Sequence, residues 1–303
     1  MISIYTHTNN PLKPEFWRFA LRKISGKYSG PDAVLDSLTK GLEEIHVPFE
    51  INPLKPKYNI IHVLSGVEAL RERIHKKAED QTLIAGPTLV TTPDEFDGIL
   101  SHGKIDLILT PSDWVTDFYG SMLPTLTYKI LSWPAGVEIP KNTHPDRTEV
   151  LVFKKNIEEE VYTKVVTHLE EKQITYKVLE YGKFSHQEYT DLLRKTTFVI
   201  YLQKTESQGI ALQEAWAHNV PTLVYRSLVW KYKDYVWENE HISAPYLTPQ
   251  SGLFFTLETL EESITQMSTQ QFEPRAYCEE HLSNKKSAEK LIKIIKQHAE
   301  KNH

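Results

Sequence analysis

One cysteine in 303 residues, Cys278, has no partner for an intramolecular disulfide, and the thirteen histidines form no Cys/His cluster at zinc-ligand spacing. Both absences fit a reducing compartment. No segment approaches the ~20 apolar residues of a membrane span, and the start "MISIYTHTNNP" is too polar for a signal peptide. The expectation is a cytoplasmic protein, one still able to rest on a membrane surface. Low-complexity tracts and repeats of short fixed period are missing as well, which excludes disorder and solenoids as the theme. An excess of basic charge is also lacking: the formal net charge of -5 gives no general attraction to nucleic acid, so nucleic acid is not an expected partner.

What is present is a globular composition, 40% hydrophobic and 25% charged, on a chain long enough for two domains. Short apolar runs alternate with segments of helical period, the pattern of parallel sheets covered by helices, which predicts an α/β protein. The first half places strands at "ISIYT", "YNIIHVL", "TLIAG", "IDLILT" and "LTYKILS", with helices near 32–45, 67–77 and 112–122. The stretch 133–147 is rich in Pro, Gly and Asn and shows no period; "VLVF" then opens the pattern afresh. Domains are therefore expected over 1–135 and 136–303, with the last helix free to pack back on the first. The second half alternates strands at 150–153, 176–181, 198–202 and 222–225 with helices at 158–172, 186–195 and the segment between the last two strands. Helices near 258–267 and 283–298 close the chain, the latter with Ser283 as N-cap and an apolar stripe through Leu291, Ile292, Ile294 and Ile295.

The segment "YLQKTESQGIALQEAWAHNVPTLVY" carries two glutamates, Glu206 and Glu214, around the start of a helix. An acidic residue in a first turn is ordinarily a partner of the helix dipole. In a parallel sheet, however, ligands bind beyond the carboxyl ends of the strands, and the loop 203–207 lies at such an end. A helix starting near Ser207–Gly209 presents backbone N–H groups suited to a phosphate or diphosphate, and Gly209 allows close approach. Glu214 follows Glu206 by eight positions, roughly two turns at ~1.5 Å per residue, a span that fits one carboxylate on a sugar and the other on a ribose.

These residues carry a resemblance. "ESQGIALQEAWAHNVPTLV" is similar to the E-x7-E signature of retaining GT-B glycosyltransferases of the group 1, GT4-like family. "SGPDAVLDSLTKGLEE" resembles the glycine-led loop and first helix of that family's N-terminal domain, and "TPSDWVTDFYG" its serine-initiated helix. "ILSWPAGVEIP" resembles the interdomain turn, "SGLFF" a late turn, and "HLSNKKSAEKLIKII" the closing helix. The resemblance implies two Rossmann-like parallel-sheet domains facing each other across a cleft. It also implies transfer of a sugar from a nucleotide-sugar donor to an acceptor hydroxyl with retention of configuration, the acceptor being a glycan, a lipid-linked or a small molecule.

Carried over by position, Glu206 would contact the donor sugar and Glu214 the nucleotide ribose. Ser207, Gly209 and Ile210 would line the donor, the latter two through backbone N–H groups, and Gly30 would sit by the diphosphate. Lys155 matches the basic residue after the first strand of the C-terminal domain, where a cation would stabilise the leaving diphosphate. No metal and no cofactor are implied, in keeping with the lack of any Asp-x-Asp pair. This chain departs from the family in having Lys154-Lys155 where Gly-Arg is usual, and acidic Glu158-Glu159-Glu160 where a second lysine is usual. Lysine lacks arginine's bidentate fork, and Lys204 is placed to compensate.

Blander readings apply elsewhere. His218 and Trp216 read as packing or surface, His62 as an ordinary strand histidine, and the basic amphipathic run "KKSAEKLIKIIKQHAEK" as a solvated closing face. The aromatic segment "YRSLVWKYKDYVWENEH" suits either packing or an acceptor-facing or membrane-facing loop. Two rivals to an enzyme remain: a non-catalytic GT-B-like subunit that binds a nucleotide sugar or a partner, and a hinged small-ligand binding protein.

Overall fold

A computed structural model describes residues 1–24, 29–141 and 147–301. Of the expected linker 133–147, positions 142–146 lie outside the described residues. The chain forms two compact units, Met1–Gly136 with Asn284–His303, and Val137–Ser283.

The first unit holds a six-stranded sheet made of β1 (Ile2–Tyr5), β2 (Phe49–Ile51), β3 (Ile60–Ser65), β4 (Thr82–Thr88), β5 (Leu107–Thr110) and β6 (Ile130–Ser132), in the order β2-β1-β3-β4-β5-β6. Every neighbouring pair is parallel. All its strands except β2 fall on apolar runs expected from the sequence. β2 was not expected, because its three residues "FEI" alternate too briefly to register and lie between prolines; pairing with β1 makes it a strand. Helix Pro14–Ile24 was likewise missed. Its Glu15 carboxylate turns inward and accepts from the backbone N–H groups of Thr8, Glu68 and Ala69, capping helix Val67–Lys76. His62 is an ordinary strand histidine: fully buried, paired through Nε2 with the Gly86 carbonyl at 2.8 Å, and held neutral by burial with its pKa lowered to about 4.

The second unit does not run to the end of the chain. Helix Asn284–Lys301 belongs to the first, where its buried Leu291, Ile294 and Ile295 serve a stripe that packs on helix Gly30–Glu44. Trp133 is anchored there too, its indole N–H donating to the Ser287 carbonyl at 2.9 Å. Ser283 stands immediately before this helix, but its hydroxyl donates back to the Glu279 carbonyl at 3.2 Å.

The sheet of the second unit comprises β7 (Glu149–Lys155), β8 (Tyr176–Glu180), β9 (Thr196–Gln203), β10 (Thr222–Tyr225) and β13 (Gly252–Phe255), in the order β13-β10-β9-β7-β8, all parallel. Alternate residues feed two cores. Val150, Val152, Ile200 and Leu202 enter one face, while Leu151, Phe153, Val199 and Tyr201 enter the other, as expected of strands covered on both sides. "SGLFF", expected as a turn, supplies the edge strand β13. The aromatic segment folds as a hairpin of β11 (Val229–Tyr232) and β12 (Tyr235–Glu238). Trp230 faces Trp237 and Tyr232 faces Tyr235 across it, which puts all four rings on one face.

The helix pair of the first unit depends on Gly41. A Cβ there would lie 2.1 Å from the Asn284 carbonyl oxygen and 2.8 Å from the Ala288 Cβ. Alanine in a helix interior ordinarily gains about 1 kcal/mol over glycine. Overpacking against a backbone atom outweighs that, so Gly41→Ala is expected to lower stability by a net of about 1–2 kcal/mol. Urea unfolding measures it; a variant as stable as the parent would mean that the helices do not pack at this position.

Candidate functional site

The order of the second sheet marks the edge at which parallel sheets ordinarily bind ligands. The chain leaves β7 for β8 on one side and leaves β9 for β10 on the other, so the connections diverge between β7 and β9. Such a switch point opens a crevice at the carboxyl ends of the strands. Lys155 ends β7 and pairs in register with Gln203, which ends β9. Lys204, Glu206, Ser207 and Gly209 follow within six residues. Sequence reasoning had put Glu206 at a strand end; the register brings Lys155 to the same place.

The loop after β9 is tied down at two points. The buried Gln203 side chain donates to the Ser243 carbonyl at 2.8 Å, and the Glu206 N–H donates to the Ile242 carbonyl at 2.7 Å. Gly209 then takes a left-handed conformation, φ +82°, as N-cap of helix Ile210–Ala217. A Cβ there would meet Leu212 Cδ1 at 2.9 Å, so both backbone and packing ask for glycine. The helix start carries no side-chain cap. Ser207 beside it is exposed and Ile210 half-buried.

Lys155 and Glu206 form an ion pair with side chains 25% and 15% exposed. The ammonium also lies 4.6 Å from the centre of the Tyr181 ring. The other two lysines at this edge are held by the acidic run: Lys154 by Glu159 at 2.6 Å, with the Tyr162 ring 3.9 Å away, and Lys204 by Glu158. The hydrogen bond from Lys204 keeps the Glu158 carboxyl below its usual range. Glu158 and Glu159, in the acidic run that stands where a lysine was expected from the resemblance, thus act as counter-ions of Lys204 and Lys154.

Glu214 lies farther along the helix, 19% exposed, and its Oε1 is 2.7 Å from Nε2 of His186, the first residue of helix His186–Leu193. Beneath them the buried hydroxyls of Tyr189 and Tyr201 are hydrogen-bonded to each other and lie 2.6 and 2.8 Å from the Ala211 carbonyl, which accepts from the one whose proton is free. Burial raises the pKa of both phenols well above the ordinary value, so they remain donors. They bind three elements together at the base of the helix start. Neither His186 nor the tyrosine pair was singled out from the sequence; the alternation of β9 makes Tyr201 inward-facing, but nothing local marks its partner. His218 and Trp216 are structural, the first bonded through Nδ1 to the Glu214 carbonyl at 2.8 Å, the second buried with its N–H on Thr222 Oγ1. Gly30 belongs to the other unit. It opens helix Gly30–Glu44 behind a Ser29/Asp32 capping box, is exposed, and has open space where a Cβ would stand.

No family model and no curated protein sequence matches the chain. Solved structures do. The apo form of a lipopolysaccharide outer core galactosyltransferase, WaaB, aligns with 98% of this chain and 99% of its own at 9% identity and a TM-score of 0.61. The catalytic domain of starch synthase IV from Arabidopsis thaliana, bound to ADP and acarbose, aligns over 98% of each chain at 8% identity and 0.58. The pneumococcal O-GlcNAc transferase GtfA, in complex with UDP and GlcNAc, aligns with 79% of this chain and 57% of its own at 12% identity and 0.51. The fold of this chain is the GT-B fold of these glycosyltransferases.

The Lys155–Glu206 pair is neither surface nor core. Exposed pairs couple by less than about 1 kcal/mol, whereas breaking a buried pair costs about 3–5 kcal/mol. A double-mutant cycle of Lys155→Met and Glu206→Gln, read by urea unfolding, is expected to give a coupling of about 1–2 kcal/mol. Additive single variants would show that the two side chains do not interact in solution.

Proposed function

We propose that this protein is a glycosyltransferase that moves a sugar from a nucleoside-diphosphate donor to an acceptor hydroxyl with retention of configuration. One observation carries the reading: a lysine–glutamate pair meets an uncapped helix start at the switch point of the second sheet, in a chain with the GT-B fold. The start of helix Ile210–Ala217 suits the diphosphate. Lys155 is the cation whose contact strengthens as charge moves onto the departing phosphate, and Lys204 is its second source of positive charge. Glu206, relieved of Lys155, takes a sugar hydroxyl, and Glu214 takes the ribose. Ser207, Gly209 and Ile210 line the donor. The acceptor hydroxyl attacks on the face that the diphosphate leaves, and a phosphate oxygen receives its proton.

Two of the similar structures hold a nucleoside diphosphate, ADP in one and UDP in the other, which supports a donor of this class without choosing its base. The acceptor is a glycan, a lipid-linked or a small molecule. Side-chain cations converge here, and the reaction they suit is a metal-independent one. No described helix is long and apolar enough to cross a membrane. We place the enzyme in the cytoplasm, where it is able to rest on a membrane surface.

A second reading has its own support. Lys154 and Lys204 already have carboxylate partners, Glu159 and Glu158, so the positive charge offered to a phosphate is reduced. A non-catalytic subunit that binds a nucleotide sugar fits that economy of charge. Slow hydrolysis of the donor by the purified chain separates the two, since a binding subunit hydrolyses nothing.

A ribose contact is made equally in ground and transition states. Glu214→Gln should therefore weaken binding of the nucleoside diphosphate about tenfold while leaving turnover of bound donor within about twofold. Calorimetric titration and single-turnover kinetics read the two quantities; an unchanged dissociation constant removes Glu214 from the ribose. Activity should also survive EDTA, and complete loss that magnesium or manganese restores would sink the lysine-based mechanism.

A further inference from the structure

A second cation cluster lies in the first unit, away from the carboxyl ends of its strands. Beside the amino ends of β3 and β4, where Ile61 and Leu83 sit, is a cavity of about 200 Å³. Four cationic residues line it, Lys55, Arg73, Lys76 and Lys77, and no carboxylate-bearing residue is among those that do. On a chain of net charge -5, such a concentration is not the average surface. A neighbouring cavity of about 250 Å³ shares Leu54, Arg73 and Lys76 with it, and Glu72 lines that side.

The cations are not equivalent. Lys77 is committed, its ammonium held by Asp106 and by the Lys104 carbonyl at 3.0 Å. Arg73 is 8% exposed; its guanidinium carbon lies 4.6 Å from the centre of the Tyr5 ring, Nη1 donates to the Tyr5 hydroxyl at 3.2 Å, and Nη2 is 3.8 Å from Glu72. Its Nε is buried without a hydrogen-bond partner. Burial of that N–H fixes the guanidinium in place, so that only its outer nitrogens can meet a bound group. Lys55 and Lys76 stand exposed around it, and among the described residues neither forms an ion pair.

Cations in the last turn of helix Val67–Lys76 match its free carbonyls, and that accounts for the sign of Arg73 and Lys76. It does not account for Lys55, which comes from the loop after β2, or for a guanidinium sunk into the wall of a cavity. We propose that this cavity binds the phosphate group of a small phosphate monoester, with Arg73 as its floor and Lys55 and Lys76 as mobile clamps. A dianion matches three uncommitted or partly committed cations better than a single carboxylate does. The cavity is larger than a phosphate, which leaves room for the esterified carbon. The site is independent of the donor site and of the activity proposed for it.

The test is calorimetric titration of the full chain with inorganic phosphate and with glycerol 3-phosphate, against sodium chloride at matched ionic strength. Both phosphates are expected to bind, the ester at least as tightly, and Lys55→Ala/Lys76→Ala is expected to weaken both by about tenfold or more. Those lysines are exposed, so the variant should keep the parent's melting temperature without ligand. Arg73→Lys serves as a second probe: if it folds, it should bind more weakly than the parent. Lys155→Ala/Lys204→Ala removes the two lysines assigned to the donor in the other unit and should leave phosphate binding intact. The proposal is overturned if phosphate is no better than chloride, if inorganic phosphate binds and the ester does not, or if binding survives loss of Lys55 and Lys76. It is overturned equally if binding disappears with Lys155 and Lys204, which would assign the phosphate to the donor site.

Discussion

The parallel pairing of β7 with β9 is the constraint on which the candidate site depends. It sets Lys155 opposite Gln203 in register and so brings a lysine and a glutamate 51 residues apart into contact. Side chains alternate along a strand, so a slip of one residue would turn Lys155 to the other face and send Phe153 out of its core. The aromatic packing of Phe153 on Tyr201, with ring centres 4.8 Å apart, therefore guards the register of the charged residues one turn of the pleat beyond it. The chain turns opposite ways after the two strands, and such a switch point is where parallel sheets bind ligands.

Electrostatically, this edge is self-neutralising. Each of Lys154, Lys155 and Lys204 rests against a carboxylate, two of them supplied by the run Glu158–Glu160 at the start of helix Glu159–Glu171. An arriving diphosphate would exchange these partners and would not meet bare cations, so its affinity is a difference between two sets of ion pairs. Lysine suits such exchange better than arginine, since a compact ammonium on a flexible stem moves between oxygens without losing a bidentate geometry. The structure thus gives the acidic substitution at 158–160 a physical role that its position in the sequence did not suggest.

The elements legible in advance were those with strong local signals. β9, a continuous apolar run buried on both faces, and helix Ile210–Ala217, opened by a glycine that must be left-handed, were both expected within a few residues. Glu206 and Glu214 were legible because their spacing is measured along a single helix and its leading loop. β2 was not, because three residues carry no period until β1 supplies a partner. His186 was not, since its meaning lies in the 2.7 Å to Glu214, across 28 residues of chain. Arg73 was invisible for a related reason: a basic residue near the end of a helix looks solvated until Tyr5 and the loop after β2 enclose it.

By itself the sequence determined the α/β alternation, the parallel character of both sheets and the residues at the end of β9, because period, turn glycines and helix starts are local properties of the chain. The tertiary structure decided which cation meets Glu206, what holds Glu214, where the acidic run spends its charge, and that helix Asn284–Lys301 completes the first unit although the second lies between it and the rest of that unit. Those outcomes depend on strand order, register and the burial of an apolar stripe. All three are contacts between distant segments, and their free energy exists only once the chain has folded.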